Sequence, residues 1–153
     1  MRTQRAPGGD DSEWADVLAH RAGDAEAWRQ VRDRFRANGL TPSEVDGVLQ
    51  DDGAGLAAAA ASGDVDWTAP FGGALCVALL SAEVAARSAY LVARAAAVRS
   101  LAVEHLMEDF SAIAVADQLG LSRQKVYEIA RDTPQRRSAL ESVRQMQMQG
   151  VRP

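Results

Sequence analysis

Ser111–Arg131 reads SAIAVADQLGLSRQKVYEIAR. Ala112, Ile113, Val115, Ala116 and Leu119 recur along it at the spacing of one helical face. Gly120 then interrupts the pattern, as a residue closing a helix in the left-handed region would. Leu121 is an apolar plug for the corner. Ser122 can cap a second helix whose inner face is Val126 and Ile129. Two short amphipathic helices joined by a tight turn are predicted, in a chain expected to be all-α.

The neighbours on either side extend this unit. Upstream, Arg99–Phe110 is expected to be the first helix of a three-helical unit, covering the pair with Leu101, Leu106, Met107 and Phe110. Downstream, Thr133-Pro134 is a cap followed by a proline at the first helical position. The helix it opens runs towards Gly150, with Ala139, Leu140, Val143 and Met146 on one face. Arg136, Arg137 and Arg144 fall on its other side, where they can meet solvent or phosphates.

Before this unit, a long Ala-rich helical region starts after Pro70 and Gly72-Gly73 and continues from Ala74 to Val98. Val77, Val84, Leu91 and Val98 recur every seven residues, and small residues follow each by four: Ser81, Ser88, Ala95 and, past the seam's end, Ala102. The seam Val77, Ser81, Val84, Ser88, Leu91, Ala95 and Val98 lets a partner helix approach closely. That partner is either the chain's own N-terminal helices or the same helix of a second subunit, so a homodimer is expected on the second reading. Glu83 and Arg87 stand in the favourable i, i+4 order on another face.

The N-terminal part carries its own punctuation. Residues 1–11 are polar and without periodicity, and are expected to form a disordered tail. Ser12 can cap a helix bearing Trp14, Val17 and Leu18. Asp24 can cap another, with Trp28, Val31 and Phe35 on one face and an end at Gly39. Thr41-Pro42-Ser43-Glu44 is a capping box with proline at the first helical position, and Val45, Val48 and Leu49 follow. An Ala-rich turn or short helix between glycines comes next. The carboxylates Asp51, Asp52, Asp64 and Asp66 lack the spacing of a calcium loop, so no metal is expected. The resulting division is a tail over 1–11, a helical dimerisation or sensing region over 12–98, and a DNA-binding region with a C-terminal helix over 99–153.

Composition narrows the function classes. The chain has 153 residues, one cysteine and two histidines. Cys76 lies in an apolar run and is expected to be a buried thiol. No apolar core of a signal peptide is present near Met1, and the apolar run Ala74–Ala82 stops at Glu83, too short to span a bilayer. A cytoplasmic protein without membrane contact is expected. His20 and His105 are far apart and no glycine-rich phosphate loop occurs, so no nucleophile–base pair offers itself. No catalytic residue, cofactor or enzyme activity is expected. The net charge is −4, but it is unevenly spread. Gly39–Ala85 holds seven carboxylates and no basic residue, whereas Ser122–Pro153 holds seven basic residues against three acidic ones. An acidic body with a basic reader would be oriented by the field of a duplex.

With Ala112 as the first of twenty positions, Ala116 is the fifth, Gly120 the ninth, Val126 the fifteenth and Ile129 the eighteenth. The fifth must be small because the two helices cross there. The stretch resembles the helix-turn-helix domains of bacterial regulators, of recombinase C-terminal regions and of the promoter-reading part of sigma factors. VADQLGLSRQKVY carries the likeness. It covers 21 of 153 residues, or about 55 with the flanking helices. The resemblance implies a recognition helix lying in the major groove of double-stranded DNA. Ser122, Arg123, Gln124, Lys125, Tyr127, Glu128 and Arg131 would make up its outward side. Arg can grip guanine O6/N7, Gln can pair with adenine N6/N7, and Glu128 can accept from cytosine N4. Ser122, Tyr127, Arg131 and Lys125 suit phosphates. A transcriptional regulator acting as a homodimer is therefore expected. An accessory protein of a mobile element, serving partition, excision or replication, would use the same residues. A helical protein–protein interaction module is the alternative from another class.

Overall fold

The structure, a computed structural model, describes residues 7–131 and 133–150. All regular structure among the described residues is helical. The helices are α1 (Pro7–Val17), α2 (Ala25–Ala37), α3 (Pro42–Gln50), α4 (Ala54–Ala61), α5 (Ala74–Asp109), α6 (Ala112–Leu119), α7 (Arg123–Ala130) and α8 (Pro134–Met148). Two single 3₁₀ turns, Ala19–Arg21 and Ala69–Phe71, complete the set.

Local caps explain most boundaries. Asp24 accepts from the Ala27 N–H at 3.0 Å and starts α2. The Thr41 capping box forms in full: Thr41 Oγ1 accepts from the Glu44 N–H, and the Glu44 carboxylate accepts from the Thr41 N–H at 2.8 Å. Two boundaries differ from expectation. α1 begins at Pro7, ahead of Ser12, because a proline needs no hydrogen-bond partner in a first turn; of the expected tail, residues 1–6 lie outside the described residues. α5 runs unbroken through the expected boundary at Val98, since no Gly or Pro occurs between Ala74 and Asp109.

By packing, the chain forms two compact units. One is Met1–Ser88 with Gln145–Pro153, and the other is Ala89–Arg144. The first unit closes around Trp14, Leu18, Phe35, Val45, Leu49 and Leu80, all 3% exposed or less. The Trp14 and Phe35 rings stack with centroids 5.8 Å apart and planes 5° from parallel. Glu83 is buried in this unit rather than facing Arg87. It accepts from His20 Nε2 at 2.5 Å, from Arg21 Nε at 2.7 Å and from Arg21 Nη2 at 2.9 Å. The physical reason is its place on the core stripe: Cys76, Leu80 and Glu83 follow one another at i, i+4, i+7. Arg87 instead donates to the Leu49 carbonyl at 2.6 Å, at the end of α3, and to Asp52 Oδ1 at 3.0 Å.

α5 also contains an 18-residue stretch long and apolar enough by composition to cross a membrane, which the shorter run ending at Glu83 did not suggest. The same helix commits Cys76, Val77 and Leu80 to the core of the first unit and holds the ion-bound Glu83 there.

Candidate nucleic-acid interface

The second unit is built on a small core of Val103, Ala112, Val115, Ala116, Val126 and Ile129, with Met107, Leu121 and Ala130 packed against it. Val103 and Met107 stand one turn apart on α5, and they are what faces α6 and α7. Leu101, Leu106 and Phe110, expected to cover the pair, are 42%, 38% and 57% exposed. Ile113 and Leu119 likewise face solvent, at 59% and 43%. Only Ala112, Val115 and Ala116 of the predicted α6 face point inward. A period of 3.6 allows either face of α5 to be the inner one, and the Ala-rich sequence does little to choose between them.

The turn is closely determined. Ser111 caps α6 by accepting from the Ala114 N–H at 3.2 Å. At the other end Gly120 has φ +65°, in the left-handed region. The Leu121 N–H then reaches back to the Ala116 carbonyl at 2.9 Å, and the Gly120 N–H points to Asp117 O at 3.4 Å. These are the paired bonds of a Schellman closure. Leu121 tucks into the core, and Ser122 starts α7 by accepting from the Lys125 N–H at 3.1 Å. A Cβ placed on Gly120 would meet nothing within 4 Å, so substitution here costs conformational energy and not space. Gly120→Ala is expected to lower stability by about 1 kcal/mol and Gly120→Asn by less. Urea denaturation measures both; an Asn variant as costly as the Ala one would contradict the left-handed turn.

α7 turns Val126 and Ile129 inward, at 0% and 6% exposure. Ser122, Arg123, Gln124, Lys125, Tyr127, Glu128 and Arg131 are all exposed. Those seven exposed residues include three cations and one carboxylate. Among them, Lys125 Nζ pairs with Glu128 Oε2 at 3.3 Å, and Gln124 Nε2 donates to Glu128 Oε1 at 3.4 Å.

The flanking basic residues are not all exposed. Arg136 is tied inward: Nη2 pairs with Glu104 at 3.0 Å and Nη1 donates to the Ala130 carbonyl at 3.4 Å. It closes the end of α7, where a cation also suits the helix dipole. Arg137 and Arg144 are exposed on α8. Nothing in the sequence distinguishes these three arginines, because Arg136 differs only in its distance from the last turn of α7.

The seven seam residues lie along the single helix α5 and differ in burial. In the first unit Val77 is buried, and Val84 is half-buried against Gly53, where an added Cβ would come within 3.3 Å of Val84 Cγ1. Ser81 lines a shallow cleft beside them, and Ser88 is exposed. In the second unit Leu91, Ala95 and Val98 line an open groove with Leu140 and Val143, and Val98 is 56% exposed. The chain covers Val77 and part of Val84, and leaves Ser81, Ser88, Ala95 and Val98 exposed.

Comparison with protein-family models, with curated proteins and with solved structures returned no match.

Proposed function

We propose that the chain is a sequence-specific DNA-binding protein whose helix-turn-helix is α6, the Gly120 turn and α7. The observation that carries this reading is the exposed side of α7. A helix fixed from behind by Val126 and Ile129 leaves seven polar side chains exposed at and along it, three of them cationic. A major groove is wide enough to admit one α-helix. The role proposed is transcriptional regulation in the cytoplasm, without catalysis or a cofactor. A homodimer is proposed through the open end of the seam, where Ala95 and Val98 are exposed, Val98 to 56% of its surface.

The test is selection of bound sequences from random double-stranded DNA, followed by titration with salt. An enriched site is expected, with two-fold related half-sites for a dimer. Gln124→Ala combined with Arg131→Ala is expected to reduce affinity for that site by about tenfold or more, from the loss of one polar side chain of the base-reading side and of one phosphate contact. Circular dichroism should be unchanged, because both residues are exposed. Undiminished binding by the double variant would overturn the assignment of α7. A second reading, a protein–protein interaction module, is favoured by exposed Phe110 and Ile113. It predicts no enriched DNA at all.

A further inference from the structure

Resting on the DNA-binding reading above, we infer that Glu128 is the specificity-determining residue of α7, selecting cytosine, and that Gln124 is a positioning residue for it. By residue type, Gln124 and Glu128 look like two independent readers, one for adenine and one for cytosine. The geometry couples them. They stand one helical turn apart, and the Gln124 amide N–H donates to Glu128 Oε1. Lys125, the only lysine of the chain, donates to the other carboxylate oxygen. An adenine-reading glutamine needs its amide free to lie flat along N6 and N7 of the base. Here one of the two amide N–H groups is given to Glu128, so that carboxylate sets the orientation of the amide.

The carboxylate at the centre of this trio can only accept hydrogen bonds. Guanine and thymine present acceptors to the major groove at O6, N7 and O4, and would leave the carboxylate desolvated without a donor. Adenine offers its N6 amine beside the acceptor N7. Cytosine offers the N4 amine and no major-groove acceptor of its own, so it is the base that an acceptor-only group selects. Both flanking donors fix the carboxylate without adding a charge beyond Lys125, which leaves Arg123 and Arg131 for phosphates.

The experiment compares bound sequences selected by the full wild-type chain, Glu128→Gln and Gln124→Ala. Wild type is expected to enrich one cytosine per half-site by about tenfold or more over the other bases. Glu128→Gln should lose that cytosine, gain adenine at the same position and bind non-specific DNA more tightly, having shed a negative charge. Gln124→Ala should keep cytosine at that position with a weaker preference and change no other position. Cytosine retained by Glu128→Gln would overturn the inference. So would an adenine preference that vanishes from a different position in Gln124→Ala, because the two residues would then read separately. Failure of the wild type to enrich any sequence would instead overturn the DNA-binding reading on which this rests.

Discussion

Replacing Glu83 by Ala is expected to destabilise the first unit by about 3–5 kcal/mol, the range for removing one partner of a buried ion pair. Glu83 is 3% exposed, and the His20 and Arg21 side chains around it are 5% and 24% exposed. Without the carboxylate, a buried imidazole and a mostly buried guanidinium lose three hydrogen bonds. The pH dependence has a defined sign. Burial pushes the Glu83 carboxyl up, but hydrogen bonds from His20 and Arg21, with the charge of Arg21, outweigh it and hold the group below its ordinary 4.5. A carboxyl lowered on folding contributes stability that is present above that ordinary value and is lost as pH falls through the lowered one. Urea titrations at neutral pH and in acid check this. The gap between wild type and Glu83→Ala should narrow as the pH drops below 4.5. A gap unchanged by acid would mean that the carboxylate's charge contributes nothing.

Trp14→Ala is expected to cost a similar amount, about 3–5 kcal/mol, for a different reason. Trp14 is 0% exposed and stacked on Phe35, so its removal opens a cavity in the most tightly enclosed part of the first unit. Its indole Nε1 is buried with no hydrogen-bond partner among the described residues. Trp14→Phe should therefore cost less than about 2 kcal/mol, because the smaller ring loses volume but also removes an unsatisfied donor. Denaturant midpoints of the two variants separate the effects. Equal losses for Phe and Ala would show that the indole N–H has a partner.

These two sites also mark where the sequence stops being legible. Helix ends were readable because their causes are contiguous: Asp24, Thr41-Pro42-Ser43-Glu44, Gly120, Ser122 and Thr133-Pro134 each act within a few residues. The inner face of α7 was readable because Val126 and Ile129 are its only large aliphatic residues. The rotation of α5 was not. Alanine contributes little to either face, so Val103 and Met107 turn inward while Leu101, Leu106 and Phe110 do not, and local periodicity carries no record of that choice. The Glu83 cluster spans more than sixty positions of sequence. A signal for it did exist: Glu83 occupies a position on the stripe set by Cys76 and Leu80, where a carboxylate is tolerated only with buried partners. The inward turn of Arg136 depends on Glu104, thirty-two residues away.

Cys76 gives the first unit a reporter of its own motion. It is the only cysteine of the chain, 3% exposed, with Sγ 3.7 Å from the Asn38 carbonyl at the end of α2. A thiol reagent in bulk water can reach that sulfur only when the packing around it opens. If closing is faster than alkylation, the labelling rate divided by that of the unfolded chain is the fraction of time the core spends open. Glu83→Ala and Trp14→Ala should each raise that fraction exponentially with the stability they remove, about tenfold for every 1.4 kcal/mol. Substitutions on the outward side of α7 should leave it unchanged. A single sulfur atom thus reports the breathing of the first core without a label being engineered into the chain.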